Sequence, residues 1–196
     1  AVWISHPGNP TGAVYTPAEL EMLAGLAKKH DLYLIADEVY REFTYDGEKF
    51  TSLGHMKDVL DRVIMVDSVS KRFSACGARI GTIAIKNRDF MGQVLKLCQG
   101  RLCVSRLEQV GAAGLYKTPK KYLEDVNKEY KARRDTLYKA LKSMDGVICE
   151  EPKGAFYVMV KAPVDDAEKF IIWMLQNFDI DGETTMAAPG NGFYAA

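Results

Sequence analysis

The chain has 196 residues, 26 Lys+Arg against 26 Asp+Glu, and a hydrophobic fraction of 47%. This is enough for one substantial core or two small ones, and the zero net charge gives no purchase to nucleic acid or to an anionic membrane. No apolar run approaches the roughly 20 residues that span a bilayer, and residues 1–12 lack the basic start and long apolar stretch of a secretory signal.

Val2-Trp3-Ile4 is a short apolar run that reads as a strand, ended by the segment from Pro7 to Gly12. Thr16-Pro17-Ala18-Glu19 predicts a helix start, with Thr as N-cap, Pro at the first helical position and Glu closing a capping box. Leu20, Leu23, Ala24 and Ala27 then recur at helical spacing. Leu32-Tyr33-Leu34-Ile35-Ala36 is continuously apolar, as a parallel strand covered on both faces would be. Val63-Ile64-Met65-Val66 and the run from Ile80 to Ile85 predict two more strands. Strands alternating with helices give an α/β fold with a mostly parallel sheet.

Beyond residue 87 the pattern changes. Residues 88–115 read as helical, and Leu123, Val126, Tyr130, Leu137, Leu141 and Met144 mark one face of a long helix from about Pro119 to Met144. Val147-Ile148-Cys149 and the run from Ala155 to Val160 predict a pair of strands. A helix from Asp165 to Phe178 follows, with Asp165 as its cap and Glu168 three residues on. The expected organisation is an α/β part over residues 1–115 and a smaller α+β domain over residues 116–196.

Cys76, Cys98, Cys103 and Cys149 form no Cys-x-x-Cys pair, which fits reduced thiols in a cytoplasmic protein. His6, His30 and His55 have no metal-ligand spacing and are expected at the surface or in loops. Glu38 is expected to point away from its neighbours Asp37 and Val39 in an extended segment and receives no role.

Three segments carry chemistry. The most specific runs from Ser68 to Gly81 and reads Ser-Val-Ser-Lys-Arg-Phe-Ser-Ala-Cys-Gly-Ala-Arg-Ile-Gly. The amine of Lys71, flanked by the hydroxyls of Ser68 and Ser70 and followed eight residues on by Arg79, can form an imine with an aldehyde cofactor. The hydroxyls and the guanidinium can hold a phosphate. The other two segments are Gly8-Asn9-Pro10-Thr11-Gly12 and Ala36-Asp37-Glu38-Val39-Tyr40. Asn9 follows the first predicted strand, Asp37 ends the second and Lys71 follows the third. All three therefore fall past the C-terminal ends of parallel strands, the edge at which open α/β sheets bind ligands.

In kind and order these segments resemble those of the class I aminotransferases, enzymes that use pyridoxal 5'-phosphate (PLP). The resemblance runs from Val2 to Phe193. It implies Lys71 as the catalytic, cofactor-bearing lysine, and Asp37 as the partner of the pyridinium nitrogen. It implies Asn9 and Tyr40 at the ring's phenolic oxygen, and Ser68, Ser70 and Arg79 at the phosphate. Gly154-Ala155-Phe156-Tyr157 and Pro189-Gly190-x-Gly192-Phe193 add a likeness to aspartate aminotransferases, which exchange an amino group between an L-amino acid and a 2-oxo acid such as 2-oxoglutarate. A dicarboxylate substrate needs a second cation, for which Arg101, or Arg106, stands in the corresponding region. Carbon–sulfur lyases, aminocyclopropane-carboxylate synthases and the PLP-sensing domain of some transcription regulators share these motifs and are the alternatives.

Family members are about twice this length and act as homodimers. The chain starts at Ala1 within a strand-like run and stops soon after a Pro-Gly turn, so it is expected to be an internal piece. It would lack the upstream strands and the C-terminal arginine that grips the substrate α-carboxylate. Such a piece is expected to have little or no transaminase activity alone and to expose a sheet edge that favours association.

Overall fold

The computed structural model describes residues 1–193. Its sheet has four strands, β1 (Val2–Ser5), β2 (Leu34–Asp37), β3 (Val63–Ser68) and β4 (Gly81–Ala84), in that spatial order. β1, β2 and β3 are parallel, and β4 returns antiparallel to β3. The register sets Ser5, Asp37 and Val66 side by side. Three chain segments therefore leave the sheet at one edge.

Helix α1 (Pro17–Lys29) begins as its sequence predicts: Thr16 Oγ1 accepts the Glu19 N–H, and the Glu19 carboxylate accepts the Thr16 N–H in return. Its Leu20 and Ala27 are fully buried against Ile4, Leu34, Ala36 and Val63, with Leu23 and Ala24 packed beside them. These residues form the main core, on one face of the sheet.

The remaining helices are α2 (Val69–Arg72), α3 (Arg88–Gly100), α4 (Arg106–Leu115), α5 (Lys120–Lys142) and α6 (Ala167–Asn177). The region expected to be helical over 88–115 breaks at 101–105, where Leu102 takes a positive φ of 66°. Asp166 rather than Asp165 caps α6, accepting the N–H groups of Glu168 and Lys169. The expected strand pair shrinks to β5 (Ile148–Cys149) and β6 (Val160–Lys161). Ala155, with φ 56°, turns the chain out of extended geometry before β6 begins.

A second, aromatic cluster sits where the turn after β2 meets α5 and the segment before β6. Tyr40, Phe43 and Ala155 are buried there among Val126, Tyr130, Phe156 and Tyr157. The backbone ties it together: Ala155 N–H donates to Phe43 O at 2.9 Å, Tyr45 N–H to Lys153 O at 2.9 Å, and Gly154 N–H to Gly12 O at 2.8 Å. Val126 and Tyr130 of the predicted α5 stripe pack inward, while Leu137 and Met144 stay about half exposed. No described helix is long and apolar enough to cross a membrane.

Candidate active site

The parallel strands deliver the predicted residues to their common C-terminal edge. After β1 the chain turns through residues 8–12, with the Gly8 N–H on Ala13 O and the Gly12 N–H on Gly8 O, both at 2.8 Å. Asn9 lies exposed on this turn, its N–H held by Ser5 Oγ at 3.1 Å. Asp37 ends β2 and accepts the Val39 N–H at 3.2 Å, which starts the turn that carries Tyr40. β3 runs into the single turn of α2, so Lys71 stands on a short helix rather than a loop. Ser68 caps that turn, its Oγ accepting the Ser70 N–H at 2.9 Å. The cap uses a lone pair and leaves the Ser68 O–H proton free to donate elsewhere.

Lys71 Nζ lies 6.0 Å from the centroid of the Tyr40 ring and 5.7 Å from that of Phe156. Both faces attract a cation. Tyr40 is buried, and its hydroxyl is hydrogen-bonded to that of Tyr157. Burial, then the Tyr157 contact and the nearby Asp37 charge, push Tyr40 ionisation well above the ordinary range. The phenol therefore stays neutral, as a hydrogen-bond donor must. Edge-on contacts of Tyr40 with Phe43, Phe156 and Tyr157 fix its ring.

Arg79 is set differently. It follows the short turn Cys76–Ala78 in left-handed geometry, φ 54°, and its exposed guanidinium donates to Cys76 O at 2.9 Å. The Val69 N–H reaches Ile80 O at 3.3 Å, so the backbone next to Arg79 abuts the start of α2. Arg101 is the exposed C-terminal cap of α3, and Arg106 is the exposed first residue of α4. No hydrogen bond or ion pair among the described residues joins Arg101 to the Lys71 group. The structure thus gathers Lys71, Asp37, Tyr40, Ser68 and Ser70 on the turns above one sheet edge, keeps the Arg79 side chain turned outward, and leaves Arg101 apart.

Sequence reasoning missed the parts played by four residues. Tyr157 and Phe156, quoted above only as part of a family likeness, complete the aromatic wall around the Lys71 amine. The Gly-Ala-Phe-Tyr segment was the available signal, but its partner Tyr40 lies more than a hundred positions away. His6 is a correction: it is fully buried rather than at the surface. Its Nδ1 accepts the Tyr15 N–H at 3.2 Å, which makes Nε2 the donor to Thr51 O at 3.1 Å. Glu38 points away from the site, as expected, yet it is buried with a task. Its carboxylate accepts Ser52 Oγ at 2.8 Å and the Leu53 N–H at 3.0 Å, and burial pushes its pKa up. His6 and Glu38 together anchor residues 51–53 beneath the site.

The donor set suits pyridoxal 5'-phosphate. An amine held over aromatic faces, a carboxylate, a buried neutral phenol and two serines at a helix start match an aldehyde, a pyridine nitrogen, a phenolic oxygen and a phosphate. Among the described residues no group of three His, Cys, Asp or Glu forms a metal site.

The chain is similar to known proteins along most of its length. Aspartate aminotransferase of Bacillus subtilis (strain 168) is 31% identical over 98% of this chain and 50% of its own length. Aromatic-amino-acid aminotransferase 2 of Thermococcus litoralis is 35% identical over 81% of the chain and 41% of its own length. Among solved structures, an alanine aminotransferase from Pyrococcus furiosus superposes with a TM-score of 0.80 at 32% identity, over 89% of this chain and 46% of that one. The chain spans about half the length of the curated relatives it matches. The sequence model of the family described as aminotransferase class I and II covers residues 1–180, and the chain belongs to that family.

Proposed function

We propose that this chain carries the lysine side of the active site of a PLP-dependent aminotransferase. The observation that carries the reading is the Lys71 amine standing over the Tyr40 and Phe156 rings, above the edge where Asp37 and Ser68 end their strands. When bound, PLP supplies an aldehyde for the lysine and a ring that accepts electrons from the substrate α-carbon. The chain's residues supply the rest. Lys71 Nζ anchors the cofactor and, once displaced by an amino acid, takes the proton from the α-carbon. The Asp37 carboxylate holds a proton on the ring nitrogen. The Tyr40 hydroxyl, with the Asn9 amide, donates to the phenolic oxygen. Ser68 and Ser70 donate to the phosphate, and Arg79 joins them by swinging its guanidinium from the Cys76 carbonyl.

The substrates in this reading are an L-amino acid, aspartate or one similar, and a 2-oxo acid such as 2-oxoglutarate, with Arg101 as the cation for a distal carboxylate, presented to the site of the other subunit of a homodimer. Support comes from the aspartate aminotransferases among the relatives; aromatic and alanine aminotransferases among them keep the side-chain pocket open to test. The same reading places the whole protein in the cytoplasm as a homodimer, with the large-domain portion ending near residue 115. Four free cysteines support the first point.

The test is to add PLP to the purified protein and follow the visible absorbance of the lysine adduct, in wild type and in Lys71→Ala. A band present in wild type and absent from the variant is the expected result. A band that survives the substitution overturns the assignment of Lys71. Amino-group transfer from a panel of amino acids to 2-oxoglutarate, assayed with the full-length protein, then names the substrate.

A further inference from the structure

Each of three site residues has a charged neighbour in sequence, and the three charges meet. Arg41 follows Tyr40, Arg72 follows Lys71, and Asp67 precedes Ser68. Arg41 Nη2 lies 2.8 Å from Asp67 Oδ2, and Arg72 Nη2 reaches the same oxygen at 3.3 Å. Glu42 closes the group, its Oε1 3.2 Å from Arg72 Nε and 3.8 Å from Arg41 Nε. The Arg72 side chain is only 11% exposed and that of Asp67 20%, so this pair is shielded from solvent, with Arg41 at 31% and Glu42 at 33% on the outer side of the cluster. Asp67 also accepts the Ser68 N–H on its other oxygen, Oδ1, at 2.8 Å.

We infer that Asp67 is a positioning residue. It binds the turn carrying Tyr40 and the short helix carrying Lys71 to the end of β3, and so holds the Lys71 amine over the Tyr40 ring. The inference rests on the functional reading above for its consequence, but not for its geometry. A four-residue helix has too few internal hydrogen bonds to fix itself. The turn after β2 is held at its two ends, by Glu38 N–H to Val66 O and by Ala155 N–H to Phe43 O, while between them its backbone bonds are local, Arg41 N–H to Glu38 O and Phe43 N–H to Tyr40 O. An arginine from each, converging on one carboxylate, supplies the missing constraint.

The experiment compares wild type, Asp67→Asn, Arg41→Gln and the double variant by two readouts. The first is amide hydrogen exchange of the cofactor-free protein. Asp67→Asn is expected to speed exchange about tenfold at residues 39–42 and 69–72 while residues 63–66 keep their protection. The second is the strength of PLP capture, read from the lysine–PLP absorbance over a PLP titration. Capture is expected to weaken several-fold in Asp67→Asn and in Arg41→Gln, with the double variant no weaker than the weaker single variant. A uniform rise in exchange over the whole sheet, or no rise at the two segments, overturns the positioning role. PLP capture unchanged in both single variants overturns the consequence for the Lys71 amine. If wild type gives no absorbance, the lysine site does not assemble in this chain alone, and the exchange data still decide whether Asp67 couples the two segments.

Discussion

The hydroxyls of Tyr40 and Tyr157 are hydrogen-bonded to each other across 117 positions of sequence. One belongs to the turn after β2 and the other to the segment before β6, so this contact joins the early and late parts of the chain at the wall of the site. Because Tyr40 is buried, loss of its partner strands a hydroxyl with no water to replace it. Tyr157→Phe is expected to cost about 1 kcal/mol in urea unfolding. Tyr40→Phe combined with Tyr157→Phe is expected to cost less than the two single losses added, while PLP affinity falls with the loss of Tyr40. Strict additivity in the double-mutant cycle would show that the contact is not formed in solution.

The close approach of residues 8–14 to residues 152–154 predicts a sharp difference among glycines. A Cβ on Gly154 would lie 2.8 Å from Phe43 O, Pro7 Cβ and Val14 Cγ2. One on Gly12, at φ +70°, would lie 2.5 Å from Pro152 Cβ. Alanine at either position is expected to destabilise by about 3 kcal/mol. Gly25 sits within α1 with nothing within 4 Å of its Cβ position, so Gly25→Ala is expected to stabilise by about 0.5–1 kcal/mol. Thermal melts of the three variants check the contrast, and destabilisation by Gly25→Ala would contradict it.

Two buried groups give the stability opposite pH slopes. Burial lowers the His6 pKa below 6.5. Between its folded value and 6.5 the unfolded chain binds more protons, so stability falls as pH drops through that window. Burial raises the Glu38 pKa above 4.5, although the bonds from Ser52 and Leu53 oppose this. The folded chain binds the extra proton there, so this contribution falls as pH rises from 4.5 through the folded value. Glu38→Gln keeps an acceptor for Leu53 and removes the charge. Its stability relative to wild type is expected to improve as pH rises through that window, measured by urea unfolding at several pH values. A pH-independent difference would count against an ionisable Glu38 in the fold.

Arg134 is the one arginine of α5 that is buried, and it joins three segments. It donates to Pro152 O at 2.7 Å and to Asp46 Oδ2 at 2.6 Å, and its guanidinium lies 5.0 Å from the Tyr45 ring centroid. Arg134→Met is expected to cost about 3 kcal/mol, because Asp46 and the Pro152 carbonyl lose their shared donor. Adding Asp46→Asn is expected to recover part of that. Equal stability of Arg134→Met and wild type would show that the ion pair adds nothing.

Local signals in the sequence were strong where the chain decides its own geometry. The capping box of Thr16 and Glu19, the apolar strand runs and the order of the three site segments could all be read directly, because each rests on neighbours within a few residues. What escaped was set by distant contacts. His6 looks like a loop histidine until Tyr15 and Thr51 close on its two nitrogens. The run from Ala155 to Val160 has strand composition, yet Ala155 turns to meet Phe43, and the sheet partner is found only at Val160. The cap predicted at Asp165 falls one residue later, because the backbone path brings Asp166 Oδ1 to the Glu168 and Lys169 N–H groups. Arg79 has the predicted spacing, but spacing does not orient a guanidinium.

The span between Tyr40 and Tyr157 also orders events in time. The sheet and its core use residues 2–84, whereas the wall beside Lys71 needs residues 154–157. A chain emerging from the ribosome can pair its strands and place Lys71 on α2 before the residues that enclose the amine have been made. The wall beside Lys71 is thus completed only well after Lys71 itself has been made, and nascent chains halted before residue 150 should form the core yet fail to capture PLP.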